Sequence, residues 1–216
     1  MMESLVQSLP LILVFLAAIT VHEYSHGWAA YQWGDDTAKL SGRLTLNPLA
    51  HLDPLGTLFF IISGMRFGWA KPVPVDFYRL RDLRKGMFWV AIAGPAANLA
   101  FSLASVVLLK SLIGLVDHVP DSAIPGYLFL VNLFQLSVVI NISLCVFNLL
   151  PLPVLDGSKI IISLLPRRIA GRMLYYERYG LILLVLMVLP LFRGGSFINI
   201  FLVPIIEWAN NFLINL

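Results

Sequence analysis

Two histidines one helical turn apart, with a glutamate beside the first, stand out chemically: His22-Glu23-Tyr24-Ser25-His26. On a helix, residues at i and i+4 share a face, so both imidazoles can grip one ion. Zinc suits such a pair, because it takes neutral imidazole nitrogens and favours tetrahedral sites. Glu23 lies next to that face, where it can serve as general base to a zinc-activated water. On a soluble surface helix the same string is a modest signal. In an apolar helix, three ionisable groups in five residues are costly unless they hold a metal or line a polar cavity.

A catalytic zinc takes a third protein ligand and keeps one position open. His51 and Asp53 follow the first helix, in NPLAHLDPLG, and Asp156 sits in NLLPLPVLDG. The residues alone leave Asp156 open against His51 or Asp53. His51 and Asp53 also read as second-shell partners of an imidazole or, more simply, as turn and capping residues for the segment beginning at Pro54. Asp117, His118 and Asp121 fall on the other side of the membrane by the loop charges below. Cys145, the one cysteine, has Leu144 and Val146 as neighbours and reads as a small buried hydrophobe.

The elements that must position these groups are apolar. A first helix is expected from about Ser4 to Trp33, retained rather than cleaved as a leader, since no basic region precedes it. After the break at Gly34, Asp35 and Asp36, the alternation in TAKLSGRLTLNP predicts a short strand or hairpin. Residues 54–65 are apolar but too short to span, which suggests a re-entrant or interfacial piece. Within 66–85, KPVPV cannot be helical and predicts an extended edge. Long helices are expected over about 86–115 and 126–150, then a short apolar piece at 157–165, an arginine-bearing loop, a span over 179–192 and an apolar segment from Phe197. The whole reads as one all-α polytopic membrane domain over 1–216, with four to six transmembrane or re-entrant helices and a small β-hairpin or extended strand near the cytoplasmic face. A catalytic core is expected over about 9–165 and C-terminal membrane segments over about 175–216.

Composition agrees. Of 216 residues, 59% are hydrophobic and 12% charged, against about 25% charged in an ordinary soluble domain, so the chain belongs in a bilayer. A net charge of +3 does not imply nucleic acid, because the basic residues cluster in short loops between apolar runs. Such loops stay in the cytoplasm, which puts 66–85 and 166–178 inside and the poorly basic 116–125 outside. His22, His26 and residues 148–157 then all fall near the inner face. Trp28, Trp33, Trp69, Phe77, Tyr78 and Trp89 mostly flank the spans and read as an interfacial belt.

Three strings in order, HEYSH at 22–26, GPAAN at 94–98 and NLLPLPVLDG at 148–157, make the chain resemble the site-2 protease family of intramembrane zinc metalloproteases, peptidase family M50. The resemblance runs from about residue 9 to 165 and leaves no room for the PDZ or CBS domains of larger members. It implies that Asp156 completes a one-zinc site with His22 and His26. It also implies that Asn148 lies near the zinc and helps hold the substrate carbonyl or oxyanion. Glu23 as general base would make the chain an intramembrane endopeptidase of transmembrane proteins or peptides, such as single-span signalling proteins or leftover signal peptides. The bacterial plasma membrane is the expected location, with the site toward the cytoplasm. For Asn98, helix contact and substrate proximity stay open, as does oligomeric state. The alternative from another class is a metal-ion or solute transporter using intramembrane His and Asp. It predicts inverted repeats, and none is visible in the chain.

Overall fold

Helices dominate the computed structural model, which describes residues 2–62, 69–189, 195–197, 200 and 202–215. Helix α1 (Met2–Gln32) is followed by a short α2 (Thr37–Leu40), a 3₁₀ turn at Pro48–His51 and α3 (Pro54–Ile62). Then come α4 (Leu83–Ile113), α5 (Ile124–Asn148), α6 (Asp156–Leu164), α7 (Arg167–Tyr176), α8 (Gly180–Val188) and α9 (Val203–Asn215). Among the described residues, three stretches are long and apolar enough to cross a membrane: Leu9–Gln32, Leu83–Ile113 and Asp121–Asn148. Arg66 and the far end of the span expected over 179–192 lie outside the described residues.

Local chemistry sets the boundaries. Asp82 caps α4 by accepting from the N–H groups of Arg84 and Lys85. Pro125 stands in the first turn of α5, where its missing donor costs nothing. Pro151 and Pro153 follow the end of α5, and the chain turns sharply before α6.

Helix α4 is the centre of the bundle. It packs against α1, α5 and α6, and α1 also reaches α5. Its contact side is mostly small or polar: Gly86, Gly94, Asn98 and Ser102, with Val90 between them, recur every four residues and are all buried. Two apolar clusters close the bundle. Ala29, Ala30, Leu80 and Val90 form one, and Val106, Val138, Ile142 and Leu213 form the other.

Two expectations change. No strand is found among the described residues, where the alternation of 37–48 predicted one. The buried carboxylate of Asp35 accepts from both the N–H and the hydroxyl of Thr37, and the chain turns helical there. Asn47 then accepts from Leu49 N–H and caps the 3₁₀ turn. What remains of a hairpin is one antiparallel bridge, Leu52 to Ala70. The arginine-bearing loop is also a helix, α7: the Pro166 carbonyl accepts from Ile169 and Ala170 N–H and starts it.

Candidate metal centre

His22 and His26 project from the same face of α1, and their Nε2 atoms lie 3.0 Å apart. Asp156, in the first turn of α6, brings its Oδ2 to 3.2 Å from each of them. These are the donor atoms of the one cluster of three metal-binding side chains among the described residues. Both imidazoles are buried. Oδ2 of Asp156 is buried too and accepts no hydrogen bond; the two imidazole nitrogens are what face it.

The donor set fits zinc. Three N and O atoms this close together lie within reach of one ion at the roughly 2.0–2.2 Å usual for zinc to imidazole and carboxylate. Burial would push the Asp156 carboxyl up, but the facing imidazoles outweigh it and hold the group well below the usual carboxylate range. A deprotonated carboxylate is the ligand form.

Helix α4 holds the imidazoles from behind. His22 Nδ1 meets Asn98 Oδ1 at 2.5 Å, and His26 Nδ1 meets the Val90 carbonyl at 2.6 Å. Acceptors on both Nδ1 atoms keep protons there, so the proton each ring gives up on binding an ion is the one at Nε2. Gly94 lies between these two supports. A Cβ at Gly94 would overlap His26 Nε2 and meet His22 Nε2 at 2.7 Å, so glycine is what admits the rings.

The turn before Asp156 is equally demanding. Val154 has φ +74°, rare for a β-branched residue. A Cβ on Gly157 would overlap the carbonyls of Leu149 and Leu150. The helix break thus brings the start of α6 hard against the Leu149 and Leu150 carbonyls and sends the helix onto α4.

Glu23 does not point into a vacant space. Its Oε2 accepts from Val73 N–H at 2.8 Å. The KPVPV segment lies across it, tied also by Lys71 N–H to the His51 carbonyl and by Asp76 N–H to Asp35. Pro72 and Pro74 have no donors, and those of Lys71 and Val73 are spent within the chain. The segment is extended, as expected, but it is poor in free donors for adding a substrate strand.

His51 and Asp53 are not at the cluster. His51 is fully buried, with Nε2 2.8 Å from the Thr45 carbonyl. Asp53 Oδ1 accepts from Gly56 N–H and caps α3. Asn148 ends α5 and donates from its amide to the Leu144 carbonyl, one turn back. His118 lies in an exposed 3₁₀ turn past the end of α4. Cys145 is buried in α5.

Sequence reasoning missed three participants. Asp35 gave no signal beyond an acid in a turn. Val73 acts through its main chain, which carries no residue signature. Asn141 is fully buried and bonded to Asn98; an asparagine inside the apolar run VVINISL was the one available sign.

Known proteins resemble this chain in sequence. The profile described as peptidase family M50 matches residues 109–192. A Bacillus subtilis protein assigned as a zinc metalloprotease, YwhC, is 40% identical over 189 residues, which cover 87% of this chain and 83% of that protein. Rip2 of Mycobacterium tuberculosis, assigned likewise, is 29% identical over 85% of this chain and 68% of its own length. Rip2 of Mycolicibacterium smegmatis is 32% identical over 66% of this chain and 52% of its own length. No solved structure matches the chain.

Proposed function

Since the chain belongs to peptidase family M50 and is a membrane protein and a zinc metalloprotease, we propose that it is an intramembrane endopeptidase whose zinc is held by His22, His26 and Asp156. The observation that carries this reading is the trio of donor atoms 3.0–3.2 Å apart at the junction of α1, α4 and α6. Residues 1–216 then act as one membrane-embedded catalytic domain. Membership of a peptidase family decides against the transporter alternative.

Bound zinc supplies a Lewis acid that acidifies water and polarises a carbonyl. Glu23 is the general base. Val73 N–H holds its Oε2, which steadies the carboxylate and leaves Oε1 to take the proton and return it to the leaving nitrogen. Asn148 stands at the α5 end of the same turn that carries Asp156, and its amide is the group we assign to the substrate carbonyl. In the present arrangement that amide is engaged with Leu144, so a rotamer change accompanies substrate binding.

The substrates are transmembrane proteins or peptides. A helical substrate hides its carbonyls in i to i+4 hydrogen bonds and must unwind locally before any of them is attacked. The basic segments at 66–85 and 166–178 support a site on the cytoplasmic side of a bacterial plasma membrane.

The test is purified protein with a model single-span substrate. Glu23→Gln should keep zinc and lose cleavage. His22→Ala and Asp156→Ala should lose both. Normal cleavage by Glu23→Gln would remove the base assignment.

A further inference from the structure

Beyond the ligands and the base, α4 and α5 carry a run of buried polar side chains. Asn98 and Asn141 are fully buried, and Ser105 and Ser137 nearly so. All four lie in segments long and apolar enough to cross a membrane. Amides at that depth are costly unless every polar atom finds a partner.

Here they find partners in a fixed direction. Asn141 Nδ2 donates to the Ser137 carbonyl at 2.9 Å and to Ser137 Oγ at 3.2 Å. Ser137 Oγ in turn lies 2.7 Å from Ser105 Oγ. Asn98 Nδ2 donates to the Ala18 carbonyl at 3.2 Å and to Asn141 Oδ1 at 2.8 Å. A main-chain carbonyl can only accept. The Ser137 carbonyl therefore requires the NH₂ end of Asn141, and the Ala18 carbonyl requires the NH₂ end of Asn98. Each amide has its own main-chain anchor, and the bond between them ties the setting of one to that of the other. Oδ1 of Asn98 is then the atom left for His22 Nδ1, at 2.5 Å.

We infer that Asn141 is a positioning residue acting through Asn98: the two amides form a relay that sets His22 in the Nδ1–H tautomer and frees its Nε2 for zinc. The inference rests on His22 being a zinc ligand. It has a physical reason to exist. The matching support of His26 comes from the Val90 carbonyl, which no side-chain rotation can reverse. The support of His22 comes from an amide, which presents either end unless something fixes it. Asn141 and the Ala18 carbonyl are what fix it. A plain alternative is that the asparagines only tie α4 to α5, as polar side chains do in membrane bundles.

The experiment uses the full chain in detergent micelles. Asn141→Leu removes both the donor and the acceptor at nearly constant volume. Zinc affinity, read by chelator competition, should weaken about 10–100-fold, the scale of losing outer-shell support. The visible spectrum of the cobalt-loaded protein should shift, with helix content retained. Asn141→Asp, in its neutral form, still donates to the Ser137 carbonyl and accepts from Asn98, and it should stay closer to the unaltered protein than to Asn141→Leu. Unchanged zinc affinity and an unchanged cobalt spectrum in Asn141→Leu would reduce the pair to helix glue and overturn the relay. A second measurement needs no variant to fold. Nitrogen-15 spectra of the unaltered, zinc-loaded protein should show the His22 proton at Nδ1 and the metal at Nε2, and the reverse assignment overturns the relay. Zinc binding by the unaltered protein separates the two levels. If it binds zinc and the relay tests fail, only the relay falls; if it binds none, the ligand assignment falls and takes the relay with it.

Discussion

At the scale of single residues, spacing and shape decide the site. His22 and His26 meet because four residues of helix bring side chains to one face. What lets them meet α6 is an absent side chain. Any Cβ at Gly94 occupies the space of both Nε2 atoms. Gly94→Ala should therefore keep the helices but weaken zinc binding by at least the roughly 10–100-fold seen when outer-shell support is lost. Metal analysis of the purified variant beside its circular dichroism checks this, and full zinc content would show that the rings have room to shift. Asn98 shows the limit of reading a residue alone. Its string, GPAAN, suits a helix contact and a role near the site equally well. The structure has it do both, bonding α1 through the Ala18 carbonyl and His22, and α5 through Asn141.

At the scale of elements, long helices follow from apolar runs, and short pieces follow from capping. The expected hairpin over 37–48 yields to Asp35, whose buried carboxylate is worth more to the chain as an acceptor for Thr37 and Asp76 than an isolated strand pair would be. Helix α3 depends on a cap of the same kind. Asp53→Ala removes the acceptor for Gly56 N–H and should cost the start of α3 about 1 kcal/mol. Hydrogen exchange of the amides at 56–58 should then speed up by about fivefold, while those in α4 stay unchanged. Equal rates in the two proteins would mean that α3 is held by its surroundings rather than by its cap. KPVPV kept its extended form, because proline allows little else, yet its donors are turned inward to His51 and Glu23.

At the scale of the whole molecule, the three described helices long and apolar enough to span, and the charges of their connections, set the proposed orientation. The turn at Asp117–Asp121 and helix α7 should face opposite sides of the membrane. Single cysteines at Asp121→Cys and Arg172→Cys test it, with Cys145 buried and slow to react. A membrane-impermeant thiol reagent on intact cells should label the first and not the second. Labelling in the reverse order would move the metal centre to the outer side.

The amino-acid sequence alone determined the medium, the three long helices and the two histidines of the site, because hydropathy and helical spacing are local properties. It also held Asp156 as a candidate, but residue types left that carboxylate level with His51 and Asp53. Only the tertiary structure brings one of them, Asp156, to the two histidines. It lays α6 against α4 through a turn that needs Gly157, while His51 turns to the Thr45 carbonyl and Asp53 to its own helix. The main-chain partners of Glu23 and His26, and the amide pair behind His22, were likewise invisible in the sequence. Carbonyls and N–H groups are the same in every residue, and which of them meets a side chain is settled only when helices pack.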